Sequence, residues 1–238
     1  MPRIASASGV LDDPVGESLR GHHAHLARRV GAAATYLPGY ATFATVSLSP
    51  TESDWDDLVR LLGPGQLADL FSAPVTAPAA WEPVFNKAGC QMVGNRMYAS
   101  PASRTSGASV VELGGADVPA MLELTSITWP GPLWPRSHEL GRYLGIYQGG
   151  DLVAMVGERL RPPGWTEIAS VCTAPAARGR GLATRLVLAA LHRITARGDR
   201  PFLHVAADNE SAIGLYEGLG FGVRREVCFH GYRTPEVA

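Results

Sequence analysis

The chain is short of several features that would point to a function on their own. It has three cysteines, Cys90, Cys172 and Cys228, odd in number and far apart. They fit neither a disulfide framework nor a zinc-binding spacing, and a reducing, cytoplasmic compartment is the expectation. No apolar run approaches the roughly 20 residues that a membrane helix needs. The first residues, from Met1 to Gly9, lack the apolar core of a signal peptide, so no membrane partner is expected. An excess of one charge is missing as well. Lys+Arg number 21 against 22 Asp+Glu, a formal net charge of -1, and the basic footprint of a nucleic-acid-binding protein is therefore absent. Lys87 is the only lysine. The arginine-heavy, alanine-rich usage points to a GC-rich bacterial genome more than to any chemistry.

What is present is enough for a core. The 238 residues are 46% hydrophobic and 18% charged, which suits one large domain or two ordinary ones. Residues 99–109 are small, polar and weakly patterned and read as a linker. The expected division is a smaller α+β accessory domain over 1–106 and a second domain over 107–238. In the first, the pattern predicts a helix over 23–34 and a strand over 42–48. Thr51, Glu52, Ser53 and Asp54 precede Trp55, Leu58, Leu61 and Leu62, the spacing of a capped helix. Pro74, Pro78 and Pro83 break up the stretch that follows. No catalytic motif stands out here. His22, His23 and His25 invite a metal reading, but nothing nearby completes a ligand set, and a solvated helix start is preferred. No metal is expected.

The second part is more regular. Strands are predicted over 110–113, 143–148, 152–160, 167–173, 202–206 and 221–229, with a hairpin at Gly149-Gly150-Asp151. Helices are predicted over 117–126, 181–197 and 211–219. The stretch 128–135, with Pro130, Pro132 and Pro135, cannot be regular. Its Trp129 and Trp134 either line a pocket or plug the space between domains, and Glu139 just after it is a candidate receptor for a cationic group.

The informative segment is 171–183, between an apolar strand and an amphipathic helix. Gly179 and Gly181 let the backbone pass close to a bulky anion. The N–H groups of Gly179 to Ala183 then leave a helix N-terminus that carries unpaired donors and partial positive charge, which suits a pyrophosphate. Arg178, Arg180 and Arg185 can add charge-assisted contacts. The segment is neither a Walker loop nor a dinucleotide fingerprint.

Two motifs together carry a resemblance. Arg178-x-x-Gly181-x-Ala183 resembles the acyl-CoA signature of the GNAT N-acetyltransferase superfamily. Asn209, Leu215, Tyr216, Leu219, Gly220 and Phe221 resemble that family's later motif, in which a strand leads to Asn, a helix bearing Leu-Tyr, and Leu-Gly-Phe. Residues 140–143 and 154–159 look like the bacterial subfamily near glycine N-acyltransferases. The resemblance covers about residues 107–232. It implies a mixed central α/β sheet with flanking helices, a first domain that is either a degenerate copy of the same fold or an accessory lobe shaping the acceptor site, and acetyl-CoA as co-substrate, held in an opening between strands 167–173 and 202–206. Backbone groups of Val171 and Thr173 would pair with pantetheine, and the backbone near Cys172 would polarise the thioester. The Cys172 thiol itself is read as a small buried apolar group. Arg178, Gly179, Arg180, Gly181, Leu182 and Ala183 would cradle the pyrophosphate.

Tyr216 holds the family's general-acid position toward the departing thiolate. Asn209 would contact pantetheine or cap the next helix, where Ser211 competes. Glu167 is the candidate general base, equally readable as a strand carboxylate paired with an arginine, and His204 is its rival. The implied function is acetyl transfer to a small-molecule or peptide amine by direct attack, without metal. A non-catalytic acyl-CoA sensor and a transferase of another acyl group are the alternatives. Neither the acceptor nor the oligomeric state can be read from the sequence.

Overall fold

The computed structural model describes residues 9–94 and 109–236. Two sheets organise the chain. The smaller has three strands in the order β1-β2-β3, namely Ala27–Val30, Ala33–Tyr36 and Ala44–Thr45. The short helix α1 (Pro14–Arg20) and the longer α2 (Glu52–Leu62) pack beside it. Thr51 caps α2 as expected: its side chain accepts from the Asp54 backbone, and the Asp54 carboxylate accepts from the Thr51 backbone. The helix expected over 23–34 is not there. A single turn at Ala24–Leu26 is followed by the β1-β2 hairpin. Gly31 turns it at φ 51, and the Ala32 backbone N–H donates to Asp57 of α2 at 3.0 Å. The Leu26/Val30 spacing fits a helix locally, and this tertiary contact outweighs it.

The larger sheet has eight strands in the order β4-β11-β5-β10-β9-β8-β7-β6. In chain order these are β4 (Leu67–Asp69), β5 (Glu82–Gly94), β6 (Val110–Leu113), β7 (Tyr143–Gln148), β8 (Asp151–Glu158), β9 (Trp165–Thr173), β10 (Arg200–Ala206) and β11 (Phe221–Arg233). Helices α3 (Val118–Thr128), α4 (Leu182–Ala196) and α5 (Glu210–Gly218) flank it. The strands and helices expected after residue 109 are present, with ends moved by a few residues. A mixed sheet with flanking helices was the expected class, and it is the observed one.

Strand β5 is the main departure from expectation. It lies between β10 and β11, antiparallel to both. Pro83 did not prevent it, because Pro83 pairs with Tyr232 at a register shift near the strand's end, where a missing donor is tolerated. The expected linker, apart from Ser109, and the expected boundary at 106/107 lie outside the described residues. The first part of the chain nevertheless supplies an internal strand to the sheet of the second.

The two faces of this sheet are covered differently. On one, Met92, Ile168 and Leu203 pack with Leu191 and Ile194 of α4. On the other, Val93 and Phe202, the strand neighbours of Met92 and Leu203, pack with Leu11, Leu19 and Phe43 from the N-terminal segments. Alternation along β5 and β10 thus sends one set of side chains to α4 and the other to the first 94 residues.

Candidate active site

The site begins where two parallel strands part. The β9-β10 ladder runs from Trp165↔Arg200 to Ile168↔Leu203 and stops, although β9 continues to Thr173 and β10 to Ala206. Ser170 has φ 52, and the β8-β9 register shifts between Met155↔Cys172 and Gly157↔Ala169. This bulge turns the end of β9 away from β10. Past it, Gly179 and Gly181 stand at φ 72 and φ 70, and Gly181 caps α4. A Cβ at either position would meet nothing within 4 Å, so glycine is needed there for its left-handed backbone, not for space. The first turn of α4 contains no acidic residue.

A cavity of about 410 Å³ lies against this turn. Val171, Cys172, Thr173 and Arg178 line it, and so do Gly179, Gly181, Leu182 and Ala183. Arg180 does not: its guanidinium donates to the Gln148 side chain at 3.0 Å, across to the β7-β8 hairpin. Arg178 folds back, its Nε donating to the Thr173 carbonyl at 3.2 Å. The Thr173 hydroxyl is buried and has no hydrogen-bond partner among the described residues.

A second cavity, of about 680 Å³, lies on the face covered by the N-terminal segments. Val171, Asn209, Ala212, Tyr216 and Trp129 line both cavities and mark where they meet. Trp129 is 85% exposed and ends α3 in a left-handed conformation, φ 52. Tyr216 is buried, and burial pushes its phenol up to about 12. It therefore holds its proton at neutral pH, as an acid toward a thiolate must. The Cys172 thiol, buried and pushed up to about 11, stays protonated and is no nucleophile. Asn209 caps α5, its side-chain oxygen accepting from the Ala212 backbone at 3.1 Å, which settles the competition with Ser211.

The candidate base needs correction. Glu167 is fully buried, and its carboxylate accepts from Arg159 Nε and Nη2, both at 2.8 Å, and bonds His204 Nδ1 at 2.7 Å. Burial alone would raise it, but the Arg159 guanidinium and His204 together hold it at about 2. With both oxygens engaged and Glu167 on the lining of neither cavity, it is not placed to take a proton from an amine there. Its partner is the strand arginine that the plainer reading anticipated. Arg159 also stacks on Phe43 and Phe71, 4.9 and 4.6 Å from their centroids.

His204 is bound on both nitrogens. Gln91 Oε1 accepts from Arg224 at 2.9 Å, so Gln91 Nε2 is the donor, to the Leu11 carbonyl at 2.9 Å and to His204 Nε2 at 3.2 Å. His204 Nε2 is then an acceptor, and Nδ1–H donates to Glu167. Burial lowers the imidazole pKa, although Glu167 opposes this. A neutral, tautomer-fixed histidine results, with its lone pair already occupied.

Other flagged residues lie elsewhere. Glu139 is tied to Arg136 at 2.7 and 2.8 Å and to the Tyr40 hydroxyl at 3.0 Å. His23 bonds the Tyr36 hydroxyl and the Leu140 carbonyl at 2.9 and 3.0 Å, and burial lowers it to about 4. His22 meets Arg161. Sequence reasoning missed the N-terminal lining of the larger cavity: Phe43, Asp69, Phe71, Phe85 and Lys87. No local pattern marks these residues, because strand pairing far along the chain brings them together.

Residues 143–230 match the family described as FR47-like protein. A putative acetyltransferase from the GNAT family of Novosphingobium aromaticivorans superposes with a TM-score of 0.83 at 36% identity, covering 94% of this chain and 98% of that one. N-alpha-acetyltransferase RimI of Mycobacterium tuberculosis is 35% identical over 118 residues, 46% of this chain and 73% of the relative. A mycothiol acetyltransferase of Corynebacterium aurimucosum is 42% identical over 67 residues, and this match spans only 22% of that protein.

Proposed function

We propose that this chain, which belongs to the GNAT family of acetyltransferases, transfers an acetyl group from acetyl-CoA to a primary amine of a small molecule or peptide. The observation that carries the proposal is the meeting of two cavities at Tyr216, one against the glycine turn and one beneath the N-terminal segments. The residues around the smaller cavity fit CoA: flexible glycines, a helix N-terminus free of acidic groups, and strand-end backbone groups at the bulge. Pyrophosphate would lie on Gly179, Gly181 and Ala183, with Arg178 beside it. Pantetheine would follow Val171 and Thr173, and the thioester would reach the opening near Tyr216.

The amine would enter from the larger cavity. Its nitrogen attacks the thioester carbonyl carbon, the C–N bond forms, the C–S bond breaks, and the thiolate takes a proton from Tyr216. The proton lost by the amine leaves through the open cavity, and the phenol is reprotonated from solvent. Glu167 acts by position: held ionised by Arg159, it fixes His204, which lines the larger cavity. RimI is named an N-alpha-acetyltransferase and the second relative a mycothiol acetyltransferase; an α-amine acceptor is within the proposal. The test is incubation with acetyl-CoA and a panel of primary amines, read by thiol release and by mass of the product. Acetylated amine in step with CoA supports the proposal. Thiol release with acetate as the only product would count against it.

A further inference from the structure

The larger cavity has two ends. At one, Tyr216, Val171 and Asn209 are shared with the smaller cavity. Phe43, Asp69, Phe71 and Arg159 belong to the larger cavity alone and mark the end away from the cofactor side. Most ionic groups along it are already neutralised in pairs. Arg159 is spent on Glu167, and Lys87 on Asp208 at 3.2 Å. Asp69 is different. It is 6% exposed, and among the described residues it makes no ion pair. Its carboxylate accepts from the Thr42 hydroxyl at 2.7 Å and from the Phe71 backbone. Burial raises its pKa above the usual carboxylate range, and the Thr42 hydrogen bond, the charge of nearby Arg159 and the Phe71 backbone only partly offset that. A buried carboxylate is costly unless a cation answers it, and this one faces an open cavity. The surroundings suit a cation with an apolar stem. Phe71 stacks on Phe43 at 4.5 Å and on Phe229 at 5.0 Å, an apolar wall for the stem, and Arg159 already covers Phe43 and Phe71.

We infer that Asp69 receives a second, distal ammonium of the acceptor, so that the amine this site takes is an α,ω-diamine. One nitrogen, neutral, meets the thioester. The other stays charged on Asp69, and the methylene spacer lies along Phe71 and Phe229. This rests on the acetyltransferase reading above and narrows it to a substrate class.

The test compares hexamethylenediamine, hexylamine and aminohexanol, which share a chain length and differ only at the far end. The expected result is a kcat/KM for the diamine on the order of tenfold above both others, the size of one charge-assisted hydrogen bond in a partly buried site. Asp69→Asn, which keeps the shape and an acceptor for Thr42, brings the ratio near one while acetyl-CoA affinity is kept. Equal rates for the three amines in the wild type, or a diamine preference that survives Asp69→Asn, would overturn the inference. So would a preference for aminohexanol, which would make Asp69 a neutral hydrogen-bonding group. The wild-type comparison needs no variant to fold. Calorimetric binding of the same three compounds, with and without CoA, reads the Asp69 contact independently of turnover. Failure to bind acetyl-CoA would therefore count against the acetyltransferase reading alone, and absence of diamine preference against Asp69 alone.

Discussion

The cavity against the glycine turn and the cavity beneath the N-terminal segments share Tyr216 and Asn209, yet they are built from different parts of the chain. The smaller is lined by residues 128–130, by Val171 to Thr173, by Arg178, Gly179 and the start of α4, and by Asn209, Ala212 and Tyr216. Much of what it offers is backbone: a bulge, two left-handed glycines and a helix N-terminus. The larger collects Phe43, Asp69 and Phe85 from one side of the chain and His204 and Phe229 from the other, and works through side chains. A backbone cradle needs glycine at fixed spacing and leaves a local signature. A side-chain pocket needs only the right strands as neighbours, and these can come from anywhere. On the proposed reading, the cofactor half is the one a local motif can specify, and the acceptor half is the one free to vary.

The largest test of this contrast is to cut the two halves apart. A chain beginning at residue 107 loses β5 and leaves β10 and β11 with unpaired ladders on their facing edges. It is expected to show no cooperative unfolding transition by circular dichroism. A stable truncated protein that bound acetyl-CoA would mean that the N-terminal half is an addition and not part of the sheet. Next in size is Glu167→Gln, which strands the buried Arg159 charge and is expected to cost roughly 3–5 kcal/mol in urea unfolding. The pH dependence has a definite sign. Glu167 is held at about 2, below the usual 4.5, so its stabilisation is complete above the ordinary carboxylate range. It is lost as pH falls toward 2, and the variant should lack that acid-sensitive part of the curve.

Tyr216→Phe probes the point the halves share. It should lower kcat roughly 10²-fold, the usual scale for a general acid, while acetyl-CoA affinity is kept. An equal fall in affinity would make Tyr216 a packing residue. The smallest effect is expected at Cys172→Ala, which removes one buried thiol for no more than about 1 kcal/mol of stability and keeps turnover. Loss of activity there would return the thiol to the chemistry.

What could be read in advance follows the same line. The hairpin at Gly149-Gly150, the α2 cap at Thr51 and the turn at Gly179-Gly181 are local devices, and each is where the sequence predicted it. Tyr216 and Asn209 were singled out by the resemblance, and the structure puts both where the two cavities meet; their roles belong to the proposal. The β1-β2 hairpin was not, because Asp57 on another element holds its turn. Strand β5 was hidden by Pro83 and by a partner more than a hundred residues away. The role of Glu167 was half legible. A strand carboxylate with an arginine partner was one of two readings, but only the β8-β9 pairing brings Arg159 onto it, and only Gln91 on β5 fixes how His204 answers.

The central claim is that acetyl-CoA lies against the glycine turn, held by backbone geometry that only glycine can supply. Calorimetric titration of acetyl-CoA into the wild type and into Gly181→Val tests it most directly, with melting curves to confirm that both are folded. Single-site binding is predicted for the wild type. A β-branched residue at φ 70 strains the turn by about 1–3 kcal/mol, and the variant is predicted to bind on the order of tenfold more weakly or worse. No binding by the wild type, or equal binding by a folded Gly181→Val, would contradict the account.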